Sequence, residues 1–93
     1  MNPLALIRGP RYDSAMLSCL MYRTCPKTGL ARYYRVELTY NLFEEVSVLR
    51  EWGLKGGRGA SRIDIYGSLR GASEAADQIR NRTLKRGYLR AAA

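Results

Sequence analysis

The chain of 93 residues contains no histidine. That removes the side chain most often used as a general base near neutral pH and the commonest metal ligand. Cysteine is scarce too: Cys19 and Cys25 stand alone, six positions apart. Two thiols without histidine leave a metal site to be completed by carboxylates, and they make no disulfide framework, so neither a metal nor another cofactor is expected. Reduced thiols, buried or half-buried, in a cytoplasmic protein are the expectation. Long apolar runs are missing. The run near the N-terminus, Leu4 to Ile7, is too short for a signal peptide or a membrane span, and no membrane partner is expected. Acids are few, eight Asp and Glu against sixteen Lys and Arg. No Ser or Cys adjoins an evident base and no carboxylate pair flanks a cleft-forming loop, so no catalytic activity is expected.

The remaining charge is +8, with a pI near 10.0. Such a balance attracts polyanions: nucleic acid first, acidic surfaces second. It is also segregated. From Gln78 onward the chain carries Arg80, Arg82, Lys85, Arg86 and Arg90 without an acid. Between Trp52 and Ile63 it carries Lys55, Arg58 and Arg62, again without one. Acids gather instead at Glu37, Glu44, Glu45 and Glu51. A binding face requires that kind of separation.

The single tryptophan opens the stretch Trp52-Gly53-Leu54-Lys55-Gly56-Gly57-Arg58-Gly59, which holds four of the nine glycines. Glycine tolerates φ > 0 and close approach, tryptophan offers a broad stacking face, and the cations suit phosphate. The same residues also suit a core anchor followed by a turn, and both readings stay open here. The stretch lacks the Gly-Lys-Ser/Thr of a nucleotide-binding loop.

The pattern along the chain implies one α+β domain: a small antiparallel sheet of three to four or more strands, with one helix on its inner face. Residues 1–13 read as an N-terminal tail, 14–90 as the domain and 91–93 as a C-terminal tail. Ala15 to Arg23 suits a strand, and Cys25-Pro26-Lys27-Thr28-Gly29 a turn. Arg32 to Tyr40 alternates clearly, with Tyr34, Val36, Leu38 and Tyr40 on one face. Asn41-Leu42 joins it to a returning strand from Phe43 to Glu51, with Val46 and Val48 inward and Glu45, Ser47, Leu49 and Glu51 outward. Arg50 and Trp52 fall on the inward parity, so the strand must reach the sheet margin there, or twist or bulge. Gly53 to Gly59 reads as a loop. Ser61 to Tyr66 reads as a third strand with Ile63 and Ile65 inward and Arg62, Asp64 and Tyr66 outward. Ala72 to Lys85 reads as a helix burying Ala72, Ala76, Ile79 and Thr83. Glu74 and Asp77 fall in its first turns, Lys85 and Arg86 in its last, and Gly87 stops it.

Arg32-Tyr33-Tyr34, Asn41-Leu42-Phe43, Arg50-Glu51-Trp52-Gly53, Gly56 and Gly59, Glu74-Ala75, and Lys85-Arg86-Gly87-Tyr88 occur in the order and spacing of a WGR domain. The chain resembles the short stand-alone bacterial members of that family, across roughly residues 15 to 90. Other members accompany the catalytic domain of DNA-dependent poly(ADP-ribose) polymerases. The resemblance implies a sheet-and-helix module that binds nucleic acid, DNA rather than RNA, at ends, nicks or structured regions. It implies that Trp52 packs on a terminal sugar and that Tyr88 lies near a terminal phosphate. The signature arginine is replaced by Leu54. That loses a guanidinium suited to bidentate phosphate contact, for which Arg50, Lys55, Arg58 or Arg62 would have to compensate.

Two functions follow as expectations. In the first, Trp52, Gly53, Lys55, Arg58, Arg62, Arg50, Lys85, Arg86 and Tyr88 form a nucleic-acid-binding surface that is largely indifferent to base sequence, since no helix is free to enter a groove. In the second, the outward sheet face, with Leu49 and Tyr66 among charges, serves a protein partner or a homodimer without DNA.

Overall fold

The computed structural model describes residues 15–40, 43 and 45–91. The N-terminal tail, the Asn41-Leu42 join, Glu44, and Ala92 and Ala93 lie outside the described residues. Five strands and one helix follow in the order β1 (Ala15–Thr24), β2 (Ala31–Tyr40), β3 (Val46–Leu54), β4 (Ala60–Tyr66), α1 (Leu69–Lys85) and β5 (Leu89–Arg90). They form an antiparallel sheet ordered β4-β3-β2-β1-β5, with α1 across β2 and β3 on one face. The α+β architecture is therefore the one the pattern implies.

Each turn has a local cause. Between β1 and β2, Gly29 takes φ +75° and donates its N–H to the Cys25 carbonyl at 2.8 Å. The Cys25 N–H reaches the Leu30 carbonyl at 2.9 Å and closes the hairpin. Ser68 caps α1, its hydroxyl accepting from the Gly71 N–H at 3.1 Å. Gly87, at φ +97°, ends the helix as the sequence implies. Ala72, Ala76, Ile79 and Thr83 are all buried, and the Thr83 hydroxyl donates to the Ile79 carbonyl at 2.8 Å, which leaves it satisfied in an apolar setting.

Cross-strand pairing shows which strand residues share a face. On the helix side, Leu17, Leu38, Val48 and Asp64 make one row and Cys19, Val36, Arg50 and Arg62 the next. Met21, Tyr34, Trp52 and Ala60 follow, and then Arg23, Arg32 and Leu54. The core is built from the first three rows and α1, with Val46 from the start of β3 and Tyr88 from beyond the helix: Met21, Tyr34, Val36, Leu38, Val46, Val48, Ala72, Ala76, Ile79 and Tyr88.

Several expectations are corrected. Ile63 and Ile65 do not face inward. Asp64 pairs with Val48 and Tyr66 with Val46, so Asp64, Tyr66 and Arg62 share the helix side and the isoleucines lie on the outer face, 62% and 64% exposed. The parity of an edge strand follows its partner's register, and α1 does not cover this edge enough to draw apolar residues inward. β3 starts at Val46 rather than Phe43 and runs through Gly53 and Leu54, so the loop is confined to residues 55–59. Arg50 needs no bulge, because the β2–β3 register is unbroken and Asp64 sits beside it. The helix begins at Leu69, which leaves no acid in its first turn; Glu74 and Asp77 pair instead with Arg70 and Arg80. Arg86 is the C-cap rather than part of the last turn. Cys19 is half-buried as expected, but Cys25 is exposed, in the hairpin turn. Strand β5 adds to the strands the pattern implies, and Ala91, expected in the C-terminal tail, donates its N–H to the Leu20 carbonyl.

Candidate nucleic-acid interface

One helix cannot cover five strands. It packs on β2, β3 and β4 and leaves one end of the same face open. There lies a cleft of about 460 Å³ lined by Arg23, Arg32, Tyr34, Arg50, Trp52, Gly53, Arg86 and Tyr88. Four linings are arginines and none is an acid. Three strands and the helix C-cap each deliver one guanidinium. Arg23 and Arg32 are direct cross-strand partners on β1 and β2, Arg50 comes from the next strand, and Arg86 from the end of α1.

Aromatic rings form the floor. Tyr34 and Trp52, cross-strand partners, stack with centroids 5.9 Å apart and planes 16° from parallel. Tyr88 meets Tyr34 edge-on at 6.2 Å and 79°, and the Arg86 guanidinium lies 6.0 Å from the Tyr88 ring centre. Tyr34 and Tyr88 are buried and Trp52 is half-buried against the core. Trp52 is thus both a core anchor and a cleft wall. The two readings left open by the sequence apply to different parts of one ring.

The electrostatics rest on side chains alone. α1 directs its C-terminus at the cleft, and the partial negative charge there repels an anion. Arg86 sits at that end and opposes it. Arg50 lies 3.9 Å from the Asp64 carboxylate, and Asp64 also pairs with Arg62 at 3.3 Å. One carboxylate is therefore shared between two guanidiniums, and the local balance stays positive.

The sequence-selected residues divide. Trp52, Gly53, Arg50, Arg86 and Tyr88 come together in the cleft. Lys55 does not: its ammonium lies 4.9 Å over the ring of Tyr22, on the outer face. Arg62 shares the cleft's face but sits on the edge strand, tied to Asp64. Arg58 is exposed in the loop and Lys85 is exposed at the end of α1; neither lines the cleft. Arg23 and Arg32 were missed. The signal was parity: Arg32 is two residues from Tyr34, hence on its face, and a hairpin closed at Cys25–Leu30 sets Arg23 opposite it.

Gly53 and Gly59 have a packing role. A Cβ on Gly53 would meet the Gly59 Cα at 3.0 Å, so the two strands leaving the loop approach too closely for side chains. A Cβ on Gly59 would overlap the Tyr33 hydroxyl and reach the Trp52 carbonyl at 3.0 Å. Tyr33 lies on the outer face opposite Gly53, where its hydroxyl donates to Glu51 at 3.1 Å. Gly56, at φ +82°, supplies the turn itself. Glu51 also pairs with Arg35, and Arg35 with Glu37, so the charged centre of the outer face is largely satisfied within the chain.

Among the described residues, no helix is long and apolar enough to cross a membrane, and no three of His, Cys, Asp and Glu cluster as a metal site would require. The chain is 32% identical over 66 residues to the uncharacterized protein y4dW of Sinorhizobium fredii, an alignment covering 71% of this chain and 32% of that protein. The chain thus spans about a third of that relative's length. No solved structure matches it significantly. The WGR domain family matches residues 17–93, a span that takes in the helix and all of the sheet but the first two positions of β1, and the chain belongs to that family.

Proposed function

We propose that this chain is a non-catalytic nucleic-acid-binding module, directed at DNA ends, nicks or structured DNA with little regard for base sequence. The observation that carries this reading is the cleft: four arginines without an acid, around a tryptophan whose ring is stacked on one side and open to the cleft at its margin. Guanidiniums from separate elements suit phosphates spaced along a backbone, and an aromatic wall suits a sugar or an unstacked terminal base. Family membership supports the same class of ligand.

The replacement at Leu54 fits this reading. Leu54 lies directly across from Arg32, and Arg32 across from Arg23. Positive charge at the mouth of the cleft therefore comes from β1 and β2 rather than from residue 54. Arg23 and Arg32 take the role expected of Arg50, Lys55, Arg58 or Arg62, with Arg50 alone of those four inside the cleft.

The test is fluorescence anisotropy with labelled nicked, blunt-ended and closed-circular duplexes, with and without a 5′ phosphate, over a salt series. Tighter binding to open or nicked forms is the expected result. Equal binding to every form would reduce the site to a non-specific basic surface, and no binding at low salt would refute the proposal.

A further inference from the structure

Strand β4 is an edge of the sheet, with no further strand paired to it among the described residues, and its two charges, Arg62 and Asp64, are of opposite sign. Its seven residues, Ala60–Tyr66, contain no proline or lysine, and its register with β3 is unbroken from Trp52↔Ala60 to Val46↔Tyr66. Edges of soluble proteins are usually protected by such devices or by a covering element. β4 also carries Ile63 and Ile65 on the outer face beside Leu49, with both isoleucines more than 60% exposed.

We propose that two copies of the chain join edge to edge through β4, antiparallel, about a two-fold axis at Ile63. Charge complementarity selects a second copy as the occupant. Ile63 is the middle residue of β4, so pairing it with itself is the one antiparallel register that overlaps all seven residues. In that register Arg62 opposes the partner's Asp64, and Asp64 the partner's Arg62, on the helix-side face. Ile63 meets its own copy, and Ile65 lies opposite the partner's Ser61, on the outer face. A lone charge on an edge strand repels its copy, whereas a plus and a minus placed symmetrically about the centre attract it twice. The dimer continues the sheet from five strands to ten, pairs backbone groups of β4 that have no partner strand among the described residues, and closes the isoleucine patch over the join. A strand-edge contact of this length is small, so association is weak and concentration-dependent.

The axis stands perpendicular to the sheet, so both helix-side faces point the same way. Two arginine clefts then lie on one side, about 24 Å apart across the strands. That consequence for nucleic acid rests on the function proposed above, while the dimer itself does not.

The experiment is sedimentation velocity without nucleic acid, over a wide concentration series, on the parent chain, R62D, D64R, the R62D/D64R double variant and I63K. Melting curves check folding. The parent should move reversibly from monomer to dimer. Each single charge reversal should weaken the dimer about tenfold or more, by turning two attractive cross-strand pairs into two repulsive ones. The double variant should restore it. I63K, which leaves the Arg62–Asp64 pair intact, should hold the chain monomeric. A parent chain monomeric at its highest concentration, a double variant no stronger than the singles, or an I63K variant that still dimerises would each overturn the proposal. DNA binding by a strictly monomeric parent would leave the proposed function standing and remove only the dimer.

Discussion

Removal of Arg23 and Arg32 should change the salt dependence of DNA binding far more than removal of an equal charge elsewhere. If each of the four cleft arginines neutralises one phosphate, the slope of log K against log salt is about −3.6 for duplex DNA. A fourfold rise in salt then weakens binding about 150-fold. Arg23→Ala with Arg32→Ala leaves two contacts, a slope of about −1.8 and a loss of about 12-fold over the same rise. Both side chains are exposed at the cleft mouth, so the fold should tolerate the change. The matched control is Lys55→Ala with Arg70→Ala. Lys55 faces Tyr22 on the opposite side of the sheet, and Arg70 pairs with Glu74 near the helix start. The control removes the same two charges from the total of +8 and should leave the slope within a few tenths of the parent. Anisotropy titrations at several salt concentrations read both. Equal slopes for the two double variants would show that the whole basic surface binds diffusely and that the cleft has no special part.

Four further outcomes follow from the geometry. Gly59→Ala should cost about 1–3 kcal/mol in denaturant unfolding, and less in a Tyr33→Phe background, because the added methyl overlaps the Tyr33 hydroxyl; an undiminished cost would place the strain at the Trp52 carbonyl instead. Ser68→Ala should cost about 1 kcal/mol and lower the melting temperature by roughly 4–8 °C, since it removes the acceptor for the Gly71 N–H. Cys25 should alkylate well before half-buried Cys19. Its thiol is held below the ordinary value of 9.0, first by the Thr28 side chain and then by the Thr28 and Lys27 backbone, so its rate should rise with pH to a midpoint lower than that of a free thiol, and Thr28→Val should move that midpoint up. Trp52→Ala should lower the melting temperature and also weaken DNA binding by the residual folded protein by about 1–3 kcal/mol; a loss of stability with unchanged binding would assign the ring to the core alone.

The parts of the fold legible in the sequence are those with strong local signals. Alternation from Arg32 to Tyr40 placed Tyr34, Val36 and Leu38 on the buried face, and they are there. The stripe Ala72, Ala76, Ile79 and Thr83 is the buried face of α1, and Gly87 ends it with a positive φ. The misreadings share a cause. On β4, the apolar character of Ile63 and Ile65 points to the core. The face was in fact set by pairing with β3, and Asp64 turned inward to meet Arg50. Strand β5 is two residues long and exists only because β1 offers an edge beside it, information that Leu89-Arg90 does not carry. Within the candidate site, the Trp-Gly stretch and the helix end stood out through residue type. Arg23 and Arg32 are ordinary strand arginines until the hairpin register sets them side by side.

The core and the cleft are two zones of one face, divided only by where α1 stops. Tyr34 and Trp52 occupy the boundary row: Tyr34 is buried, and Trp52 is half-buried on top of it. The next row outward is wholly different, with Arg23, Arg32 and Leu54. Self-repulsion among cleft arginines opposes folding, and packing of the boundary row must offset it. A polyanion in the cleft relieves that repulsion and so stabilises the fold by linkage. Neutralising Arg23 and Arg32 should therefore leave the free protein as stable or slightly more so while reducing its stabilisation by DNA. Substitutions in the boundary row lack that compensation, because the same ring contacts that wall the cleft close the core beneath it.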